Sequence, residues 1–187
     1  MSNIKNTYID TKDYIDVSVK NNLDLVKWAE NAYANKWGYV WGTYGLVLDE
    51  ENFNFKLQQY PEELEPNKEF ILNNWFGGRT ADCIGLIKGY SWYNPKTKEI
   101  EYGTNGMPDI GANTMFENAE EKGEISTIPE IKGLAVWQNG HIGIYIGTGE
   151  VIEAMGTKYG VVKTKIKNRN WTHWLKIPYI TYFEGGD

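Results

Sequence analysis

The sequence predicts an α+β fold in which N-terminal helices, one of them starting at a cysteine, pack on a C-terminal antiparallel sheet. Three observations predict it. The first part of the chain carries apolar residues at helical spacing, the part after Gly123 carries short runs of β-branched and aromatic residues punctuated by Gly and Asn, and no internal repeat disturbs that order. At 187 residues, with 41% hydrophobic content and eight Trp, the chain is expected to form one domain over residues 1–187. Residues 1–21 form its polar leader.

The first helix is read from "NNLDLVKWAENAYANKWG", where Leu25, Val26, Ala29, Ala32 and Tyr33 share one stripe, with Asn22 as N-cap and Gly38 as the stop. "YVWGTYG" then alternates aromatic residues with glycine, which suits a turn where backbone passes close to something. Residues 46–78 are acidic and irregular and read as a surface insertion or lid, with one short helix starting near Pro66. In "DCIGLIKGYSWY" the spacing of Ile84, Leu86, Ile87 and Tyr90 predicts a buried helix whose N-terminus falls near Asp82 and Cys83. Residues 111–123 read as an amphipathic helix ended by Gly123. "GLAVWQ", "HIGIYIG", "EVIEAMG", "GVVKTKI" and "WLKIPYITYF" supply the strands.

Composition excludes several functions. A formal net charge of −6 disfavours nucleic acid, whose binding rests on clustered Lys and Arg. No apolar run approaches the ~20 residues of a membrane span, so no membrane insertion is expected. With two His, one Cys and no HExxH or CxxC spacing, neither a metal site nor another cofactor is expected. The N-terminus shows neither the basic nor the apolar region of a secretion signal.

A lone cysteine is ordinarily a small buried hydrophobe. At a helix start, however, unpaired N–H groups and the helix dipole favour thiolate, and the same donors can hold an oxyanion. Cys83 is therefore a candidate nucleophile. It needs a base, and the chain offers His141 and His173. His173 lies between aromatic residues in a strand pattern, as a structural histidine would, whereas His141 follows the turn "QNG" at a sheet rim. His141 is the candidate base. Glu153, an acid in an otherwise apolar strand, is the candidate to orient it, though the pattern fits an outward-facing carboxylate equally well. A tight turn at Thr148–Gly149 would pair Ile144 with Glu153 and put His141 and Glu153 on opposite faces, so contact between them requires a bulge or a longer turn.

The blocks "NKWGYVWGTYG", "TADCIGLIKGY", "GLAVWQNGHIGIYIG" and "VIEAMG" resemble, over residues 22–166, the NlpC-type papain-like cell-wall cysteine peptidases. Tyr39, Cys83 and His141 sit on the family's Tyr-x-x-Gly, Asp-Cys-x-Gly-Leu and His-x-Gly-Ile-Tyr-Ile-Gly motifs. The third polar residue of relatives follows the histidine by about a dozen positions, which falls on Glu153, where histidine is the commoner occupant. Ile84 stands where serine is usual, Leu134 where an acid is usual, and the 46–78 insertion where the family needs only a short connection. The resemblance implies a papain-like fold and a catalytic domain that hydrolyses an amide of the bacterial peptidoglycan stem peptide, in most members the D-γ-glutamyl–diamino acid bond. It also implies that Tyr39 lends its hydroxyl near the thiol or the oxyanion. Trp41, Trp75 and Trp137 are expected to line a substrate groove or, alternatively, to be core. An N-acetylmuramoyl-L-alanine amidase would use the same catalytic set, and a silent wall-binding or virion module would keep only the fold. The plain N-terminus suggests delivery to the wall after lysis, by non-classical export or in a virion, as for a phage lysin.

Overall fold

The computed structural model describes residues 5–184. Helix α1 spans Asn22–Ala34 and is capped by Asn21, not Asn22: the Asn21 Oδ1 accepts the Asp24 N–H at 2.8 Å. Asn22 is spent elsewhere, its amide nitrogen donating to the Lys132 carbonyl and its oxygen accepting from the Phe183 N–H. The helix ends at Asn35, ahead of the expected Gly38.

Strand β1 (Tyr44–Val47) pairs antiparallel with β2 (Arg79–Ala81), and the chain between them is more helical than the sequence predicts. It forms α2 (Glu50–Gln59), α3 (Pro61–Leu64) and α4 (Lys68–Asn74). Asp49 caps α2 by accepting the Asn52 N–H at 2.8 Å. These helices enclose a small core of their own from Val40, Leu48, Phe53, Leu64 and Ile71, with Trp75 packed against it.

Helix α5 (Gly85–Trp92) follows at once, buried along its whole length, and leads to the short pair β3 (Tyr93–Asn94) and β4 (Glu99–Ile100). Two glycines let α5 lie directly on the β1 backbone. A Cβ at position 85 would stand 1.9 Å from the Thr43 carbonyl oxygen, and one at position 89 would stand 2.0 Å from that of Tyr44. Trp28 ties α1 to α5 by donating its indole N–H to the Leu86 carbonyl at 2.8 Å.

Helix α6 covers only Ala112–Asn118, because Lys122–Glu124 is taken up as an edge strand, β5. It pairs with β10 (His173–Leu175), Gly123 opposite Trp174. The sheet runs β5-β10-β6-β7-β8-β9, all neighbours antiparallel, with β6 Ala135–Gln138, β7 His141–Gly147, β8 Glu150–Gly156 and β9 Gly160–Lys165. The last strand is shorter than its run of apolar residues, since beyond Leu175 the Ile177 N–H donates to the Tyr182 hydroxyl at 2.9 Å instead of to the ladder. Ile142, Ile144, Ile152 and Ala154 point from the sheet into the helix-side core with Trp28, Leu86 and Ile87, while Val136, Tyr145, Val151 and Trp171 fill the other face. This is the helix-then-antiparallel-sheet order that the sequence predicts.

Alanine is the better helix former by about 1 kcal/mol, yet Gly89→Ala is expected to lower stability by a net ~1–3 kcal/mol through the forced approach to Tyr44. Gly111→Ala, where a Cβ would meet nothing within 4 Å and φ is −81°, should change it by less than about 0.5 kcal/mol. Thermal denaturation of the two variants checks the difference.

Candidate active site

Asp82 organises the region around the thiol. Its Oδ1 accepts the Gly85 N–H at 2.7 Å, its Oδ2 accepts the Gly42 N–H at 2.8 Å, and its own N–H donates to the Thr43 carbonyl at 2.9 Å. One side chain thus accepts the first N–H of α5 and fastens the 39–43 turn beside it, leaving Cys83 in the turn that leads into the helix. Burial raises the Asp82 carboxyl above the ordinary aspartate range, against the lowering effect of those N–H bonds and of Lys88.

Cys83 is 9% exposed and forms the floor of a cleft of about 790 Å³, with Tyr39, Trp41, Asp82 and Gly140 among its neighbours. The backbone N–H groups of Ile142, Ile84 and Cys83 face its sulfur and favour thiolate, but burial and the Asp82 charge outweigh them and push the thiol up to about 12. Burial therefore opposes the thiolate that a helix start alone favours. Burial likewise raises the Tyr39 hydroxyl, with Cys83 the next contributor.

The thiol lies beside the start of β7: Ile142, whose N–H favours its thiolate, follows His141, and Gly140, which lines the same cleft, precedes it. The imidazole Nε2 lies 2.6 Å from Glu153 Oε2. A register shift makes that contact. Ile144 pairs with Ile152, with an irregularity between Tyr145 and Gly147, so Glu153 falls on the face that carries His141 instead of the opposite one. Between them Gly143 leaves the face bare. A Cβ there would stand 2.8 Å from Val151, 3.2 Å from the Glu153 Cβ and 3.2 Å from the Trp171 ring. Trp171 uses the space to stack on His141, ring centroids 5.2 Å apart and planes 9° from parallel.

Glu153 has no exposed surface, and its burial alone would neutralise it. Instead its carboxyl lies below the ordinary glutamate range: burial raises it, and bonds from His141, Arg169 and Thr164 bring it down. Arg169 grips both oxygens at 2.8 Å, and the Thr164 hydroxyl donates to Oε1 at 2.7 Å. An ionised carboxylate can only accept, so His141 Nε2 donates to it, and Nδ1 is the ring nitrogen left for a second proton. The arrangement fixes the His141 ring by its Nε2 at the start of the strand whose second residue, Ile142, lies beside the Cys83 thiol.

Of the three tryptophans, Trp41 lines the cleft and is 43% exposed. Trp75 does not reach it: its indole donates to the Thr157 carbonyl at 2.7 Å and its ring packs on the core of the insertion. Trp137 lies off the cleft too, stacked on Phe116 with centroids 4.0 Å apart. His173 stands next to that pair, away from the thiol. Arg169 and Trp171 carry no sequence signal, since "KNRNW" has neither period nor motif. Among the described residues no group of three or more His, Cys, Asp or Glu could hold a metal ion, and no helix is long and apolar enough to cross a membrane.

No protein-family model and no curated relative matches the chain. Solved structures similar to it include the NlpC/p60 domain of the peptidoglycan hydrolase SagA, at 16% identity and a TM-score of 0.44 over 87% of this chain and 100% of that one. The peptidoglycan hydrolase RipB from Mycobacterium tuberculosis gives 17% identity and a TM-score of 0.45 over 86% of this chain and 67% of that one. The P60 domain of an antigen from M. avium subspecies paratuberculosis gives 18% and 0.46 over 86% and 98%. TM-scores this low leave function to be read from the site itself.

Removing one partner of a buried ion pair costs about 3 kcal/mol or more, so Arg169→Met should destabilise by that order at neutral pH. The sign with pH follows from the lowered Glu153 carboxyl. Its stabilising contribution is present above the usual glutamate range and is lost as pH falls through the folded-state value, earlier in the variant than in the wild type. The gap between the two proteins in urea denaturation should therefore narrow below pH ~4. A gap that stays constant into acid would contradict the assignment.

Proposed function

We propose that the chain is a cysteine-dependent hydrolase of bacterial peptidoglycan that cleaves the stem peptide between D-γ-glutamate and the diamino acid. The observation that carries this reading is the meeting of Cys83, in the turn that leads into a buried helix and open to a cleft, with the strand that presents His141 held by Glu153. The bond assignment comes from the resemblance of the motifs around these three residues to those of the NlpC-type peptidases.

Burial disfavours a free thiolate, so the Cys83 proton passes to His141 as the sulfur attacks. The carbon–sulfur bond forms, and the carbonyl oxygen takes the electron pair. The Cys83 backbone N–H and the Tyr39 hydroxyl stabilise that oxyanion. Collapse of the tetrahedral species breaks the carbon–nitrogen bond, and the His141 imidazolium protonates the departing amine. Water then attacks the thioester, His141 takes its proton and returns it to sulfur, and the stem peptide leaves with a new carboxylate. Glu153 keeps one imidazole tautomer throughout, and Arg169 keeps Glu153 ionised.

Mass spectrometry of muropeptides after incubation with wild-type protein should show a new free amine on the diamino acid. Cys83→Ala should lower that cleavage by at least about a thousandfold. Release of whole stem peptide from muramic acid would make the protein an amidase instead. No Cys83-dependent product from several wall types would replace the enzyme with a binding module.

A further inference from the structure

The insertion places a cation in the cleft for which the proposed chemistry has no use. Lys56, on α2, lines the same cleft as Cys83 and is only 6% exposed. Its ammonium lies 5.4 Å from the centroid of Tyr44, 5.4 Å from that of Phe55 and 5.8 Å from that of Tyr60. Its polar partner is the neutral Gln59 amide, whose Oε1 accepts at 3.0 Å. Among the described residues no carboxylate lies within ion-pair distance of it. The other buried lysine of the cleft differs: Lys88 is paired with Asp109 at 2.5 Å, and Asp109 also accepts from Tyr102.

Buried cations are ordinarily paired, because the desolvation they suffer is otherwise uncompensated. Aromatic faces offset part of that cost and hold the ammonium in place without neutralising it. What remains is a cation that the cleft carboxylates Asp109 and Asp82 act on without pairing with it, in a partly buried site where an incoming anion that does pair interacts more strongly than it would in water. A γ-linked glutamyl residue supplies such an anion, since linkage through the side chain leaves its α-carboxylate free a few atoms from the scissile carbonyl. The same residue amidated at that carboxyl, or an α-linked residue with a neutral side chain, has no such anion there.

We infer that Lys56 is a specificity-determining residue that pairs with the free α-carboxylate of the γ-linked glutamyl residue, so that the cleft selects acidic stem peptides over those amidated at that carboxyl. The inference rests on the proposed endopeptidase reading and makes the insertion part of the substrate site. Amidation replaces an anion that Lys56 can neutralise with a neutral group that leaves the cation buried and unpaired.

The test is calorimetric binding of two synthetic tripeptides, L-Ala-D-γ-Glu-diamino acid with a free α-carboxylate and the same peptide as its α-carboxamide, to the Cys83→Ala protein. The acid should bind tighter by about tenfold or more, the size of one charge-assisted hydrogen bond. Adding Lys56→Met should bring the two affinities together, and adding Lys56→Arg should keep them apart. Equal affinities in the Cys83→Ala protein would overturn the inference with no Lys56 variant needed, as would a preference that survives Lys56→Met in a protein that melts like its parent, or failure of both peptides to bind. Muropeptide digestion reports separately on the enzyme: cleavage with equal acid and amide affinities removes the role of Lys56 and leaves the endopeptidase standing.

Discussion

A carboxylate with no exposed surface has to be compensated by its neighbours, and the site of this protein is built around that requirement at Glu153. Three elements converge to meet it: His141 from β7, Thr164 from β9 and Arg169 from the segment that follows β9. The compensation has a direction. With Arg169 on both oxygens and Thr164 on one, the carboxylate presents Oε2 to the imidazole as a fixed acceptor, and this settles which ring nitrogen carries the proton. The β7–β8 register shift and the missing side chain at Gly143 are the backbone conditions for the arrangement, because either an unshifted register or a Cβ at 143 would separate the histidine from its partners.

The thiol is held by a second, independent device. Asp82 joins the start of α5 to the 39–43 turn, and the glycines at 85 and 89 let the helix settle onto β1. Cys83 then has little freedom relative to Tyr39 on that turn. The cost is a sulfur whose burial, with the Asp82 charge beside it, raises the thiol and disfavours a free thiolate. The cleft above it is closed by residues of the insertion, Phe55, Lys56, Gln59 and Tyr60 among them, so the segment between β1 and β2 is a wall of the site and carries its own small core.

Much of this was legible in the residues. The buried helix just after "DC" and the sheet that follows rest on periodicity and turn chemistry that tertiary contacts did not override. The need for a bulge could be deduced from strand parity, although its position between Tyr145 and Gly147 could not. Other features depend on partners distant in sequence. Asn21 caps α1 because Asn22 is drawn to Lys132 and Phe183, and α6 stops early because residues 122–124 pair with β10. Trp75 and Trp137 are aromatic residues of the kind that line grooves, but an indole hydrogen bond to Thr157 and a stack on Phe116 hold them elsewhere. The insertion was read as irregular, yet Asp49 as cap and Phe53, Leu57 and Tyr60 at helical spacing contain the signal for α2.

The central claim is that Cys83 forms a covalent acyl intermediate on the way to amide hydrolysis. Trapping with hydroxylamine tests it most directly, because an added nucleophile competes with water for a thioester whether or not that species accumulates. Muropeptide digestion in its presence should divert part of the glutamyl product from the carboxylic acid to the hydroxamate, in proportion to the hydroxylamine concentration. Product found only as the acid, with amine release unimpaired, would mean that water attacks the amide directly and that Cys83 is not the nucleophile.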